Sequence, residues 1–247
     1  SMLKGKNIVI TGATGGIGSA LTKKATQMGA KIMMLARTRE NLEKLASELD
    51  NVFSYPVDVT NLDDLSVVIQ KIQETHGKID IVIHAVGEIT LRPLHALSQK
   101  QFRNSLEINL ISAFNIMKST IRGMMKRKTG SYVFISSVAG KKGMRNHEAI
   151  SASKSGLEGL VRSAAITYAP RGIRFNGVAL GLIETSLARK NKLTTTEKLR
   201  QIANEMHPLG RYGQVDDVVD QILFLASDKA SWTTGVFVPI DGGLSTN

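Results

Sequence analysis

The strongest constraint on the fold is the regular alternation of short, β-rich runs with longer segments of helical period. Seven runs have the length of a buried strand: NIVIT, KIMMLA, VFSYPV, IDIVIH, SYVFIS, IRFNGVA and GVFVPI. Between them lie segments such as LDDLSVVIQKIQETHG, in which apolar residues recur at helical spacing and Gly77 ends the run. Several strands are apolar on both faces, which favours a parallel sheet covered by helices on both sides. The sequence therefore predicts an α/β fold with a doubly wound, seven-stranded parallel sheet.

The chain is expected to form one domain over residues 1–247. Its 247 residues suffice for one large α/β domain, and no linker-like stretch or run of charge divides them. Hydrophobic residues make up 42% and charged residues 21%, as in a globular protein with a sizeable core. Ser1 precedes Met2, the expected natural start, and is interpreted as a residue left by a tag.

The composition excludes several classes of protein. The chain has no cysteine, which rules out disulfides, thiolate catalysis and cysteine-ligated metals, and no metal site is predicted. No apolar run approaches the roughly 20 residues that span a bilayer, and no signal peptide is recognised, so a cytoplasmic protein is expected. The net charge of +11 is spread along the chain apart from KRK at 126–128 and KK at 141–142. A spread excess is typical of a solvated basic surface, so nucleic acid is not the expected partner, whereas a phosphate-bearing ligand is compatible.

Residues 186–208 interrupt the alternation of strands and helices. This segment, from Ser186 to Pro208, is polar and rich in lysine and threonine. Its composition fits a mobile lid over a substrate, and it fits a pair of plain surface helices equally well.

The turn after the first strand is rich in glycine. NIVITGATGGIGSALTKKATQMGA places Gly12, Gly16 and Gly18 between that strand and a helix that begins near Gly16, with Thr14 and Ile17 in the same turn. A backbone without side chains can approach a pyrophosphate closely, and the helix N-terminus offers unpaired N–H groups. Because strand and helix are both present, the turn predicts a dinucleotide-binding site in preference to a plain glycine turn.

The spacing Thr11-Gly12-x-x-x-Gly16-x-Gly18 resembles that of the short-chain dehydrogenase/reductase family, and the resemblance covers nearly the whole chain. Further matching segments are PVDVT, EINL, ISSVAG, SASKSGLEGL, IRFNGVALGLIETSL and SWTTGVFVPIDGG. Within the family, the chain resembles bacterial 3-oxoacyl-carrier-protein reductases and sugar or alcohol dehydrogenases. The resemblance implies a single-domain Rossmann-type fold, a nicotinamide cofactor and a small-molecule carbonyl or alcohol substrate.

The resemblance also implies roles for individual residues. Ser137, Lys154 and Asn109 match the family's catalytic groups. The implied cofactor contacts are Gly12, Thr14, Gly16, Ile17, Gly18, Arg37, Asp58, Val59, Ala85, Gly87, Lys154, Gly181, Ile183 and Thr185. Among these, Asp58 is expected near the adenine and the last three near the nicotinamide.

The charge after the second strand favours NADP(H) over NAD(H). LARTRENL carries Arg37 and Arg39 there and no acidic residue at the strand tip. An acid would accept hydrogen bonds from the ribose 2′-OH of NAD, whereas an arginine pairs with the 2′-phosphate of NADP. Against this preference, the two arginines also fit a solvated helix start, and Gly15 stands where many NADP-specific members carry a basic residue.

One catalytic residue of the family is missing. A tyrosine four residues before the lysine donates the proton in the family, and Ile150, which cannot donate one, stands there in NHEAISASK. The tyrosine commonly lies thirteen positions after the serine, so that Ser137 plus thirteen and Lys154 minus four both give position 150. The four tyrosines lie elsewhere: Tyr55, Tyr132 at the start of the fifth strand, Tyr168 at the end of the helix that carries Lys154, and Tyr212.

Two further positions depart from the family pattern. The family usually reads Asn-Asn-Ala-Gly after the fourth strand, whereas this chain reads HAVG, His84 to Gly87. Gly87 remains, so the cofactor can still lie along this turn. Leu180 stands where a proline normally precedes Gly181, which is compatible with harmless loop variation.

If the chain is an enzyme, something else must deliver the proton: another residue, of which His147 is the first candidate, or a water or the substrate in a slow reductase. Positions 147, 150 and 154 share one stripe of a helix, and imidazole titrates near neutral pH. Its reach argues the other way, because three residues span about 4.5 Å along a helix and imidazole is shorter than phenol. Glu148 is expected to face away from this stripe. His84, at a strand end, is the third candidate.

Two functions are compatible with the sequence. Retention of Ser137, Lys154 and Asn109 favours an NADP(H)-dependent oxidoreductase with an atypical proton donor. Ile150 and HAVG favour a catalytically inactive NADP-binding protein that acts as a sensor or a partner subunit. The resemblance implies a homo-oligomer, a tetramer or a dimer. The helix SASKSGLEGLVRSAAITYA has small and apolar faces that fit a dimer interface and fit packing within one chain equally well.

Overall fold

The computed structural model describes residues 2–246, so Ser1, interpreted above as a tag residue, lies outside the described part, as does Asn247. The strands are β1 (Asn7–Thr11), β2 (Lys31–Ala36), β3 (Val52–Pro56), β4 (Ile81–His84), β5 (Gly130–Ser137), β6 (Ile173–Leu180) and β7 (Phe237–Ile240). The helices are α1 (Gly16–Gln27), α2 (Arg39–Ser47), α3 (Leu62–His76), α4 (Gln99–Leu106), α5 (Ser112–Arg127), α6 (Glu148–Tyr168), α7 (Ser186–Lys190), α8 (Glu197–Met206) and α9 (Asp216–Ala226). Across residues 2–246, no helix is long and apolar enough to cross a membrane.

The strands form one parallel sheet in the order β3-β2-β1-β4-β5-β6-β7. The strand order reverses at β1, which pairs with β2 on one side and with β4 on the other. Thr11, the last residue of β1, lies opposite His84, the last residue of β4. Ligands of such sheets bind beyond the carboxyl ends of the strands at this reversal point. The prediction of a doubly wound, seven-stranded parallel sheet is confirmed.

Each face of the sheet is covered by its own apolar layer, because successive side chains of a strand point to opposite faces. Ile8 and Ile10 pack in the layer that contains residues of α1, α2 and α9. Val9 packs in the other layer, with residues of α3, α5 and α6. This arrangement explains why the strands read as continuous apolar runs in the sequence.

The ends of α3 follow from local chemistry. The side chain of Asn61 accepts a hydrogen bond from the backbone N–H of Asp64, which satisfies one of the unpaired donors of the first turn. Leu65, Ile69 and Ile72 are buried at helical spacing, and Gly77 ends the helix with a positive φ of 83°. The predicted helix and its stop are confirmed.

A π turn, Glu107–Ile111, joins α4 to α5 without a break in helical backbone conformation. It carries Asn109, which is fully buried. Such turns insert one extra residue into a helix and are frequent at functional sites. The sequence pattern gave no indication of it.

Residues 186–208 contain two short helices, α7 and α8. Thr185 caps α7 by accepting from the backbone N–H of Ala188, and Thr196 caps α8 by accepting from that of Leu199. The expectation of a helix pair therefore describes the local structure. The pair does not lie apart from the rest of the molecule, because it closes one side of the cleft described next.

Candidate active site

A cleft of about 1210 Å³ opens at the carboxyl ends of β1 to β6, at the reversal point of the sheet. Its volume exceeds the roughly 300–1,000 Å³ of a typical small-ligand pocket, so it has room for an extended ligand. The sequence-predicted site residues that line it are Gly12, Thr14, Gly16, Ile17, Gly18, Arg37, Asp58, Val59, Ala85, Gly87, Ser137, His147, Lys154, Gly181, Ile183 and Thr185. None of the four tyrosines of the described chain lines this cleft.

The glycine-rich turn is a backbone cradle. Gly12 has a φ of +62°, and a Cβ on it would lie 2.5 Å from the carbonyl oxygen of Ala85. A Cβ on Gly18 would collide with the carbonyl oxygen of Gly12. No side chain caps the start of α1 and no acidic residue lies in its first turn, so its N-terminal N–H groups remain available to an anion. These features fit the pyrophosphate of a dinucleotide.

The end of β2 supplies positive charge and no acid. Arg37, Thr38 and Asn41 line the cleft. Arg39 lies outside the lining and pairs with Glu43 at 3.7 Å on the surface. Of the two arginines in the sequence motif, Arg37 is therefore the one positioned to meet a phosphate of a bound nucleotide.

Ser137 and Ile150 face the cleft from β5 and α6. The Oγ of Ser137 accepts a hydrogen bond of 3.1 Å from the backbone N–H of Ala139, which leaves its hydroxyl hydrogen free to donate. Ile150 is 5% exposed, so the place of the family's tyrosine is filled by a packed apolar side chain.

Lys154 reaches the same wall of the cleft from α6. Its Nζ donates a 2.8 Å hydrogen bond to the carbonyl oxygen of Ile135, and the side chain is buried. Burial lowers the pKa of Lys154 to about 8, against the opposing effect of the carboxylates of Glu88 and Glu158. At neutral pH the lysine is thus an ammonium that loses its proton more readily than an exposed lysine does.

Asn109 lies beneath the wall of the cleft, not in it. Its Oδ1 accepts a 3.0 Å hydrogen bond from the backbone N–H of Glu88, and its Nδ2 lies 3.2 Å from the Oγ of Ser105 and 3.3 Å from the Oγ of Ser153. The amide therefore ties the π turn to the loop after β4 and to α6. The structure does not bring Asn109 to the open space with Ser137 and Lys154.

His147 lines the cleft, but α6 begins one residue later, at Glu148. The prediction that His147 belongs to the helical stripe of positions 150 and 154 is therefore wrong, because His147 occupies the N-cap position with non-helical backbone angles. Its Nδ1 donates a 2.7 Å hydrogen bond to the carbonyl oxygen of Arg145, so Nε2 is left for a ligand. Glu148 is exposed and does not line the cleft, as expected.

His84 is not a usable proton donor, which corrects its place as third candidate. It is 2% exposed, and burial lowers its pKa to about 3, with a smaller effect of the Lys154 charge, so the ring is neutral. The hydroxyl of Ser112 donates to the carbonyl oxygen of Ile108 at 2.6 Å, so Ser112 accepts from Nε2–H of His84 at 2.9 Å. The hydroxyl of Thr11 then donates to Nδ1 at 2.7 Å. Both ring nitrogens are occupied away from the cleft.

The sequence interpretation missed the apolar end of the cleft and two carboxylates. The apolar end comes largely from residues 182–206 and consists of Leu182, Leu187, Leu193, Leu199, Ile202, Ala203 and Met206. The last four recur at helical spacing in α8, a signal that could have predicted an inward-facing apolar stripe. Glu88 and Glu107 also line the cleft, and no pattern in the sequence singled them out.

Known proteins resemble this chain over almost its entire length. A family model described as enoyl-(acyl carrier protein) reductase matches residues 12–245. The chain is 36% identical over 246 residues to the 3-oxoacyl-[acyl-carrier-protein] reductase FabG of Thermotoga maritima, with 98% of each chain covered. Among solved structures, gox2181 superposes with a TM-score of 0.95 at 30% identity, covering 99% of this chain and 97% of its own. ElxO with NADP bound superposes with a TM-score of 0.92 at 27% identity, covering 98% and 99%.

Proposed function

The chain belongs to the short-chain dehydrogenase/reductase family, and from this premise we propose that it is an NADP(H)-dependent oxidoreductase for a small carbonyl or alcohol substrate. The observation that carries the proposal is that Ser137, Lys154 and His147 face one cleft together with a complete dinucleotide cradle. A cleft built only to hold a nucleotide would have no need of a serine hydroxyl and an imidazole at its substrate end.

NADP(H) fits this cleft better than NAD(H). Arg37 lines the cleft at the end of β2, and the lining of that end holds no acid to accept from a ribose 2′-OH. ElxO, a structural relative at 27% identity, has NADP bound. When bound, the nicotinamide supplies or accepts the hydride. The protein's residues must hold the dinucleotide, orient the substrate and move a proton.

Ser137 and Lys154 have separate tasks in this proposal. The free hydroxyl hydrogen of Ser137 donates to the substrate oxygen and stabilises the negative charge that develops there during reduction. Lys154 offers its ammonium donors to the ribose of the dinucleotide. Asn109 acts from below the wall, by fixing the π turn and the loop at Glu88.

The proton for the substrate oxygen comes from His147 in this proposal. Because Nδ1 already donates its hydrogen to Arg145, only the protonated ring has a hydrogen on Nε2 to give to the cleft. The acid is therefore the imidazolium form, which gives its Nε2 hydrogen to the substrate oxygen as the hydride arrives. The oxidation of an alcohol uses the neutral ring as the base, with Nε2 accepting the proton.

A second function, a catalytically inactive NADP-binding protein that serves as a sensor or partner subunit, is favoured by Ile150. The buried isoleucine makes the wall of the cleft apolar where the family places its acid. A structural relative, the ElxO variant in which a tyrosine is replaced by phenylalanine, has NADPH bound. That structure supports the idea that a similar chain can bind the cofactor after one tyrosine hydroxyl has been removed.

The test follows the oxidation of NADPH with a panel of carbonyl compounds that includes a 3-oxoacyl thioester. We expect turnover by the wild type and a loss of about 10²–10⁴ in kcat for His147→Ala, the usual contribution of a general acid. Glu148→Gln, one residue away and outside the cleft, serves as the matched control and should keep the wild-type rate. An unchanged rate for His147→Ala would remove His147 as the donor. Turnover by Ile150→Tyr alone, with none by the wild type, would establish the binding protein instead.

A further inference from the structure

Glu88 is a carboxylate in the wall of the cleft that has no counterpart among the residues assigned above. It follows directly after Gly87 in the loop beyond β4. One carboxylate oxygen accepts a 2.6 Å hydrogen bond from the hydroxyl of Thr90, and the other lies 3.3 Å from the Nδ2 of Asn109. These bonds hold the side chain in place without neutralising its charge.

The ammonium of Lys154 lies against the same loop. A Cβ built on Gly87 would be 3.7 Å from the Nζ of Lys154 and 3.4 Å from the Oδ1 of Asn109. Glu88 follows Gly87 directly, and its carboxylate lies 3.3 Å from the Nδ2 of the same Asn109 whose Oδ1 faces Gly87, so its negative charge belongs to the segment beside the buried ammonium. That Nζ donates to a neutral carbonyl oxygen, that of Ile135.

The negative charges of two carboxylates, Glu158 and Glu88, favour the ammonium form of Lys154. They differ in how many cations pair with them. Glu158 accepts from the hydroxyl of Ser136 at 2.8 Å and pairs with Arg162 at 3.4 Å and Lys141 at 3.8 Å, so two cations already compensate its charge. Glu88 forms no ion pair with any cation in the described part of the chain. His84, which also lies near Lys154, is neutral. Asp58, Glu107 and His147 line the same cleft and are not among the charges that act on Lys154.

We propose that Glu88 is a positioning residue that keeps the buried Lys154 in its ammonium form and thereby sets the pH range in which the cleft binds a dinucleotide. The ammonium carries three hydrogen-bond donors and a positive charge, whereas the neutral amine carries two donors and no charge. The proposal rests on the proposed function only in that the cleft binds NADP(H), and it requires no turnover.

The direction of the effect follows from the environment of the lysine. Burial favours the neutral amine and lowers the pKa of Lys154 to about 8, and the negative charge of Glu88 opposes that change. Removing the charge must therefore lower the pKa further, so that the lysine loses its proton nearer neutral pH. An opposite charge at close range typically shifts such a midpoint by about one unit or more.

The direct test is a titration of Lys154 by NMR, with lysine labelled with 13C at Cε and the signal assigned by its absence in Lys154→Met. We expect a midpoint near pH 8 in the wild type and one at least about one unit lower in Glu88→Gln. Glu107→Gln is the matched control, because Glu107 also lines the cleft and is not among the charges that act on Lys154. Its midpoint should equal that of the wild type.

Cofactor binding gives a second readout. NADPH fluorescence titrations should show affinity falling as the pH rises through the midpoint, with Glu88→Gln about fivefold weaker than wild type at pH 8 and equal to it at pH 6. Glu88→Asp keeps the carboxylate and should restore most of the wild-type midpoint. Glu88→Met repeats the test if Glu88→Gln does not fold. An NMR midpoint in Glu88→Gln equal to that of the wild type would overturn the proposal. Absence of NADPH binding by the wild type at every pH would count against the proposed function, while the NMR midpoint would still decide the role of Glu88.

Discussion

At the scale of single residues, the nucleotide cradle is specified by backbone atoms that approach each other too closely for any side chain to fit. Gly18 in the first turn of α1 sits against the carbonyl oxygen of Gly12, and Gly12 sits against that of Ala85. The two contacts join the turn after β1 to the loop after β4. A side chain at either place must displace backbone, since no flexible group is available to move aside.

Gly18→Ala tests this constraint. We expect it to lower the free energy of unfolding by about 2–4 kcal/mol, because the added methyl group meets backbone and must shift it. Gly159→Ala is the matched control in α6, where a Cβ meets nothing within 4 Å. The control should raise stability by about 0.5–1 kcal/mol through helix propensity alone. Urea unfolding measures the free energy of unfolding of both variants. A Gly18→Ala variant as stable as the wild type would show that a Cβ at position 18 fits without displacing the backbone.

Residues that act through backbone geometry or through the ends of strands could be predicted from the sequence. Gly12, Gly18, Ser137 and Lys154 fall in the cleft as expected, because their spacing along a strand–turn–helix unit fixes where they lie. The burial of Asn109 could not be predicted in this way, since it depends on a π turn and on contacts with residues distant in sequence. The same holds for Glu88, whose importance arises only from its neighbours in space.

At the scale of elements, a chain of hydrogen bonds fastens β1, β4 and the π turn together. It runs from Thr11 through His84 and Ser112 to the carbonyl oxygen of Ile108. Both nitrogens of a neutral imidazole are needed, one as acceptor and one as donor. Protonation of His84 would give the ring two donors and break the bond from Thr11.

This chain predicts an acid-sensitive part of the stability. The pKa of His84 is about 3 in the folded protein, against 6.5 for an ordinary histidine. Because the folded value lies below the unfolded one, the stabilisation is fully present above about pH 6.5 and is lost as the pH falls towards 3. This group alone should cost about 2–3 kcal/mol between pH 7 and pH 4.5.

His84→Asn is the variant that isolates this effect. Asn has no group that titrates in this range. The free energy of unfolding of the variant, measured in urea at pH 7 and pH 4.5, should therefore lack the part of the decrease that comes from His84. Other titrating groups are common to both proteins and cancel in the comparison. Equal losses in the two proteins would show that His84 is already charged in the native state.

Elements with a clear apolar period were predictable, and elements defined by a local irregularity were not. The helix α3 has an N-cap, a buried stripe and a terminal glycine, and it was placed correctly from these signals. For α6, the predicted helix included His147, but no side chain caps its first turn and the boundary has no strong sequence signal. The π turn depends on contacts of Asn109 with the loop after β4 and with α6, which no periodic pattern in the sequence encodes.

At the scale of the whole molecule, the expected homo-oligomer can be tested with the single tryptophan. Trp232 precedes β7 and is fully exposed in the isolated chain. If a dimer or tetramer covers this segment, its fluorescence emission should lie at shorter wavelength at high protein concentration and move to longer wavelength on dilution. Light scattering on the same samples gives the mass. An emission that stays the same while the mass changes would show that the interface lies elsewhere.

The pairing of β4 with β1 affects how the domain folds. Thr11 and His84, which face each other across this pair, are 73 residues apart in the chain. Pairing at such a separation must overcome a large loop-closure entropy, and contacts of this kind slow folding. The glycine turn and the loop after β4 meet only once this pair has formed. A nascent or partly folded chain therefore has no nucleotide cradle, and bound nucleotide adds its stabilisation only to molecules that have completed this late step.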